Sequence, residues 1–147
     1  MVRPVNASTG GPHLDPSPET VERLLDAGGW RFTRRTDDTW RGHFRCQTGR
    51  SFPYLVRLDR EAHFLSFAVV PFVRSPEDEE RCAALYGRLL QLNQVLMMAK
   101  LSIDDDLDVV LSVDYPTAQL DESEFVDAMN ALAYYADTHH GELAALL

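Results

Sequence analysis

The chain has little of what marks a secreted, membrane-spanning or disulfide-stapled protein. Its 147 residues include only two cysteines, Cys46 and Cys82, at apolar positions of a predicted strand and a predicted helix. No apolar run approaches the ~20 residues that a membrane span needs, and the first residues lack the apolar stretch of a signal peptide. We therefore expect a cytoplasmic protein with no membrane partner. Two buried thiols are favoured over a disulfide, which stays the open alternative.

Reactive motifs are missing as well. The sequence has no CxxC pair, no GxSxG elbow and no glycine-rich phosphate loop between a strand and a helix. His139 and His140 are adjacent in a predicted helix and so point in different directions, which favours a surface pair over a metal site. The acidic run at residues 104–108 lacks the spacing of a calcium loop and is predicted to be a solvated turn. We expect no catalytic residue, no bound metal and no cofactor.

The net charge of -9 conceals a division of charge along the chain. Residues 31–60 hold eight arginines against three aspartates, whereas residues 75–147 hold fifteen acids against three basic residues. Such a division can steer association with another protein or with a second copy of the chain, although solvated faces have the same pattern. The candidate charge patch consists of Arg31, Arg35, Arg41 and Arg45.

Hydrophobic periodicity predicts three helices and two groups of strands. Capping signatures at Ser17, Ser75 and Asp121 start the helices. This order predicts an α+β fold with a mainly antiparallel sheet flanked by helices. Residues 1–16 read as a flexible tail, and residues 17–147 as a single domain. The predicted strands cover residues 30–35, 40–47, 52–59, 63–73, 98–103 and 107–115, and the helices cover 17–27, 75–97 and 121 onward.

The predicted strand at residues 63–73 is apolar on both faces, which indicates a central strand or a second face that meets a partner. Together with the apolar stripe of the second helix it could form an interface. The arginine-rich strands also contain aromatic residues, as single-strand-binding sheets do. Those aromatics alternate with the arginines and so lie on the opposite face, which argues against nucleic acid. The residues predicted to form the protein-binding or dimer surface are Phe64, Leu65, Phe67, Val69, Leu85 and Leu89.

Three segments carry a family resemblance: LYGRLLQLNQVLMMAKLSID, LDVVLSVDYP and LDESEFVDAMNALAYYAD. They resemble the YbjN-type proteins, a family described as sensory transduction regulators that shares its fold with the type III secretion chaperones. The Leu92–Asn93 pair, the acidic turn between two strands and Pro116 match the layout of that family. The resemblance covers residues 17–140, and the chain departs from the family by a longer arginine-rich strand block.

The resemblance implies a small homodimer with an α-β-β-β-α-β-β-α core and no catalytic residues. It implies protein binding, as a chaperone or as a regulator, with Asn93 satisfying backbone groups at the end of the second helix. Composition and pattern leave a second hypothesis open. In that alternative, the chain is a signalling domain that binds a small ligand between helix and sheet.

Overall fold

The computed structural model of the chain describes residues 15–147, apart from the side chain of Gln119. It has three helices and one sheet, and so confirms the predicted α+β class. The six strands correspond to the six that the hydrophobic pattern predicts, while the core order that the resemblance implies has one strand fewer between the first two helices. The elements are α1 (Pro18–Ala27), β1 (Thr33–Thr36), β2 (Thr39–Arg45), β3 (Ser51–Asp59), β4 (Phe64–Arg74), α2 (Glu79–Asn93), β5 (Ala99–Ile103), β6 (Asp108–Pro116) and α3 (Glu122–Ala144), with a 3-10 turn at Thr117–Gln119.

Side-chain caps set where the helices begin. The Ser17 hydroxyl accepts a hydrogen bond from the backbone N–H of Thr20, and Asp121 and Glu124 form a reciprocal capping box at α3. The predicted cap of the second helix at Ser75 is wrong by three residues. Asp78 caps α2 instead, because the Ser75 hydroxyl is engaged with the hydroxyl of Tyr86 at 2.7 Å.

All six strands form one antiparallel sheet in the order β1-β2-β3-β4-β6-β5. The doubly apolar strand β4 is central, between β3 and β6, as its pattern predicted. The ladder between β4 and β6 shifts register after Val69 and resumes at Val73. Pro53 lies beyond Tyr54, where the pairing between β3 and β4 ends, so a residue without an N–H costs no bond to β4 there.

The helices cover only one face of the sheet. Phe67 of β4 meets Phe125 of α3 edge-on at 5.0 Å, and the Trp40 indole N–H of β2 donates to Glu22 of α1 at 3.1 Å. Asn93 of α2 bonds to the backbone of Leu101 in β5. The alternate residues of the strands point to the opposite face, where no described helix packs. That face is called the open face below.

The predicted tail at residues 1–16 lies outside the described residues, except for Asp15 and Pro16. The Asp15 carboxylate accepts a hydrogen bond from the hydroxyl of Thr117 at 2.8 Å and lies 2.9 Å from Nδ1 of His63. Both partners lie at the end of the β4–β6 ladder. The part of the chain that packs on the domain therefore includes residue 15.

Candidate protein-binding surfaces

Strand register brings one row of small, apolar and basic residues together on the open face. Arg41 of β2 is paired with Leu55 of β3, which is paired with Ala68 of β4. Arg57 follows two residues after Leu55 on the same face and is paired with Ser66. The side chains of Arg41 and Arg57 are exposed, while Leu55 is half-buried. The β1–β3 side of the open face therefore offers guanidinium groups beside apolar surface.

A cavity of about 230 Å³ lies over this part of the open face. Arg35 and Arg41 form part of its wall, and Pro53, Leu55 and Val70 supply apolar lining. Among the described residues, the guanidinium groups of Arg35, Arg41 and Arg57 have no carboxylate within ion-pairing distance. The ion pairs of the described chain involve Arg34, Arg60, Arg74, Arg88, Lys100 and two histidines instead.

The charge of Arg34, the residue next to Arg35, is paired within the chain. The Arg34 side chain points to the helix side, where its Nε donates to Glu22 at 2.5 Å, and this hydrogen bond lowers the pKa of that carboxyl below its usual value. Arg35, one residue later, lines the cavity of the open face. Because successive residues of β1 face opposite sides of the sheet, Arg34 has a carboxylate partner within the chain, whereas Arg35 has none among the described residues.

At the β5–β6 end of the open face, the charges of Asp114 and Lys100 neutralise each other. The Asp114 carboxylate accepts hydrogen bonds from Ser66 Oγ and Lys100 Nζ, each at 2.7 Å. Partial burial raises the pKa of Asp114, but the bonds from Lys100 and Ser66 outweigh burial and hold the pKa below its usual value. Uncompensated positive charge is thus concentrated on the β1–β3 side.

The predicted charge patch is divided between two cavities. Arg35 and Arg41 line the cavity on the open face, whereas Arg31 and Arg45 line a separate cavity of about 510 Å³. The two groups separate because the chain before β1 crosses Gly42, where the Arg31 carbonyl accepts a hydrogen bond from the Tyr54 hydroxyl at 2.6 Å. Burial raises the pKa of Tyr54 to about 12, so this hydroxyl keeps its proton near neutral pH.

Most of the predicted apolar surface lies inside the protein. Five of its six residues are in the chain's own core, and only Phe64, 38% exposed, reaches the surface. The five belong to the helix-covered face of β4 and to the inward stripe of α2, where packing within the chain removes them from contact with a partner. They are Leu65, Phe67, Val69, Leu85 and Leu89.

Exposed apolar side chains occur instead at the end of α2 and in the loop that follows. Leu90, Val95, Met97 and Met98 are between 52% and 73% exposed, and we call these four residues the α2-end patch. The segment is held in place, since the Met97 N–H donates to the Tyr135 hydroxyl at 3.0 Å. Scattered apolar residues are ordinary on a surface, but four from nine consecutive residues are a candidate contact site.

The groups considered for chemistry do not come together. His139 Nδ1 lies 2.9 Å from Glu142, while the ring of His140 packs between Phe52 and Phe72. Both histidines are half-buried, so the prediction of a surface pair is wrong. Within residues 15–147 no group of three His, Cys, Asp or Glu side chains is placed to hold a metal ion.

The acidic turn is held by hydrogen bonds to its own backbone, and both cysteines are partly buried. Asp104 Oδ1 accepts from the backbone N–H groups of Asp106 at 3.0 Å and Asp108 at 2.9 Å, which closes the turn between β5 and β6. Cys46 and Cys82 are free and half-buried. Burial raises the pKa of the Cys46 thiol, which opposes formation of a reactive thiolate.

None of the described helices has the length and apolarity to cross a bilayer.

Solved structures with a similar backbone include a complex from a type III secretion system. A chain of the heterodimeric complex ExoU–SpcU from Pseudomonas aeruginosa matches with a TM-score of 0.57 and 23% identity, over 86% of this chain and 97% of that chain. A chain of the ExsC–ExsE complex matches with a TM-score of 0.60 and 15% identity, over 86% and 95%. These likenesses define the class: an α+β domain with the fold of the type III secretion chaperones.

The sequence defines the family within that class. The family model YbjN, described as "Putative bacterial sensory transduction regulator", matches residues 17–144. The chain belongs to the YbjN family, as its sequence motifs indicated. The structure of YbjN from E. coli is similar with a TM-score of 0.60 and 15% identity, over 86% of this chain and 93% of that chain. No curated protein matches the chain in sequence.

Proposed function

We propose that the chain is a non-catalytic protein-binding module, chaperone-like or regulatory, that acts as a homodimer in the cytoplasm. The observation that carries the dimer is the α2-end patch, four exposed apolar residues on a fixed segment. The fold supports the binding role, because structural neighbours include complexes of two different chains, one of them described as the HopA1–SchA chaperone–effector complex. That structure matches with a TM-score of 0.56 and 12% identity.

The α2-end patch suits contact with a second copy of itself. Residues 89–99 contain no charged side chain, although the surrounding sequence is rich in acids. A two-fold dimer places the same patch on both partners, so a charged patch would meet its own sign, whereas an uncharged apolar patch is self-complementary. Burial of these side chains contributes roughly 25 cal/mol for each Å² of apolar surface removed from water.

Sedimentation velocity of the full chain tests the dimer. We expect the wild-type protein to sediment as a dimer and the Val95→Asp, Met97→Asp double variant as a monomer, because two buried carboxylates on each side would be unpaired. Both side chains are well exposed within one chain, at 64% and 72%, so the unfolding midpoint of the isolated fold should change little. Leu147→Asp, at an apolar residue 42% exposed elsewhere, is the matched control and should stay dimeric.

A wild-type protein that remains a monomer at every concentration would contradict the dimer. A double variant that still forms the wild-type dimer would contradict the placement of the interface at the α2-end patch. The alternative function, a signalling domain for a small ligand, has its own measurement. A metabolite that binds the folded state raises the melting temperature in a concentration-dependent way, and a monomer with such a response would favour that alternative.

A further inference from the structure

We propose that the β1–β3 side of the open face binds an acidic, extended segment of another protein, with an apolar side chain in the 230 Å³ cavity and carboxylates on Arg41 and Arg57. This inference rests on the proposed protein-binding function and names the chemistry of its partner. It concerns the open face and does not involve the α2-end patch.

The charge of this surface is the first argument. The chain has 23 acidic and 14 basic residues, yet among the described residues none of the acids forms an ion pair with Arg35, Arg41 or Arg57. The Arg34 side chain, by contrast, is bound by carboxylates of α1 on the helix side. Exposed guanidinium groups with fixed backbone positions are well suited to bidentate contacts with carboxylates.

The shape of the surface is the second argument. Small-molecule sites usually measure about 300–1,000 Å³, and this cavity, at about 230 Å³, is smaller. It is large enough for one or two side chains, and its lining by Pro53, Leu55 and Val70 is apolar. Arg41 is opposite Leu55 in the ladder, and Arg57 is two residues further along β3. An extended chain places successive side chains of one face about 7 Å apart, which matches an apolar residue flanked by carboxylates.

Nucleic acid fits this surface less well. Stacking of bases on aromatic rings supplies much of the affinity of single-strand-binding sheets. In this protein Trp40 and Phe44, which alternate with Arg41, are buried on the helix-covered face, with exposed fractions of 0% and 7%. The net charge of -9 also repels phosphate over the rest of the surface.

A second copy of the chain is also disfavoured as the occupant. Most acidic residues of this chain lie on the helices, at their starts and on the turn at residues 104–108. The open face itself holds Asp59 and Asp114, which accept hydrogen bonds from Ala62 and from Ser66 and Lys100 respectively. Contact between the helix acids and the open face of another copy joins two different surfaces, and where it is head-to-tail it forms rings or open filaments. A separate acidic chain satisfies the arginines without that consequence.

Fluorescence anisotropy with a labelled peptide tests the proposal. The probe is an extended peptide of about ten residues, the length of a long strand, in which every second residue is serine and the residues between them are glutamate and valine in turn, so that one face carries both; its matched forms carry glutamine or lysine in place of glutamate. We expect only the glutamate peptide to bind, with an affinity that falls as salt rises. Arg41→Gln and Arg57→Gln together should weaken binding about two- to thirtyfold, since each exposed charge pair contributes roughly 0.2–1 kcal/mol.

Arg23→Gln is the control, because it removes one exposed arginine of α1 that has no ion pair among the described residues. It should bind like the wild type, and unfolding curves should show all variants folded. Equal binding of the three peptides, or an unchanged affinity of the double variant, would overturn the proposal. So would a single-stranded oligonucleotide that binds more tightly through the same arginines, or self-association that Arg41→Gln abolishes. Sedimentation reports the dimer independently, so a wild-type protein that forms the dimer but does not bind the glutamate peptide overturns this inference alone.

Discussion

At the scale of single residues, Gly42 decides how the chain enters the sheet. A Cβ at this position would lie 2.1 Å from the Arg31 carbonyl oxygen and 2.6 Å from the ring of Tyr54. Real Cβ atoms do not approach other heavy atoms so closely, and one of the two neighbours is backbone. The absence of a side chain at Gly42 therefore lets the segment before β1 cross β2 and receive the hydrogen bond from Tyr54.

Gly42→Ala should lower the free energy of unfolding by about 2–4 kcal/mol, since the added methyl group overpacks the site and displaces a buried hydrogen bond. Urea denaturation measures this change. Gly87→Ala is the matched control, because Gly87 is in the interior of α2 with open space around its Cβ position. The control should be more stable than wild type by up to about 1 kcal/mol. If Gly42→Ala were as stable as wild type, the segment before β1 would be able to shift away from residue 42 without loss of stability.

At the scale of secondary-structure elements, Asn93 ties the end of α2 to the edge strand β5. Its Nδ2 donates to the Leu101 carbonyl at 2.9 Å, and its Oδ1 accepts from the Leu101 N–H at 2.7 Å. The sequence predicted that Asn93 satisfies backbone groups at the helix end, but the groups it satisfies belong to the strand. An edge strand has backbone N–H and C=O groups without a ladder partner. The side-chain amide of Asn93 supplies a donor for the Leu101 carbonyl and an acceptor for the Leu101 N–H.

Asn93→Asp keeps the shape and removes the donor. At neutral pH the carboxylate would face the Leu101 carbonyl, and we expect the protein to lose about 1–3 kcal/mol of stability. Asn130→Asp, the same substitution at an exposed residue of α3 outside the α2-end patch, should differ little from wild type. Protonation of the introduced carboxyl group restores a donor, so the gap between the Asn93→Asp variant and wild type should narrow in acid. Urea denaturation at neutral and acidic pH measures both effects, and a gap that widens in acid would contradict the role of the donor.

The helices and strands were largely predictable because their apolar periodicity is strong. Which face of each strand packs against the helices was not predictable. Alternation marked β4 as central without telling which of its two apolar faces the helices cover. That is why Leu65, Phe67 and Val69 were assigned to a surface although they are in the core. The start of α2 was misplaced because Ser75 and Asp78 are both good capping residues, and only the contact of Ser75 with Tyr86 decides between them.

The candidate site was less predictable than the elements. The arginine-rich block identified Arg35 and Arg41, and the alternation rule separated them from the aromatics. Arg57 was missed as part of the surface because its proximity to Arg41 depends on the register between β2 and β3. The α2-end patch was missed because the second helix was predicted to run to residue 97, whereas α2 ends at Asn93 and the loop after it exposes Val95, Met97 and Met98.

At the scale of the whole molecule, the surface is divided by charge. The open face carries uncompensated arginines, residues 89–99 are uncharged, and the starts of α2 and α3 are acidic. An uncharged patch can join two identical chains, while a basic face on an acidic protein selects acidic segments and repels basic ones. The two proposed contacts therefore use different surfaces and can be separated by mutation.

The stability of the whole molecule should also depend on pH through His140, which joins α3 to β3 and β4. Its ring lies between Phe52 and Phe72, and its Nδ1 has no hydrogen-bond partner among the described residues. Burial, and then the positive charge of Arg50, lower the pKa of His140 below its ordinary value of 6.5. The folded state thus favours the neutral ring, whereas the unfolded chain takes up a proton near the ordinary value.

The sign of the effect follows from linkage between protonation and folding. Well above pH 6.5 the ring is neutral in both states and the effect is absent. As the pH falls below 6.5, the unfolded state binds the proton first, so stability declines until the folded state is protonated as well. The carboxyl groups of Glu22 and Glu142, whose pKa values are lowered by hydrogen bonds from Arg34 and Arg88, lose their contribution in a separate window below pH 4.5.

We therefore expect the free energy of unfolding to fall between about pH 7 and pH 5 in the wild-type protein, as measured by urea denaturation at a series of pH values. His140→Phe should flatten this part of the profile, because phenylalanine fills the apolar site between Phe52 and Phe72 and has no proton to bind. His43→Gln, at an exposed histidine of β2, should keep the wild-type decline. A decline of equal size in the His140→Phe variant would assign the effect to another group. A wild-type profile that rises in this range would reverse the sign and show that the folded protein stabilises the charged ring.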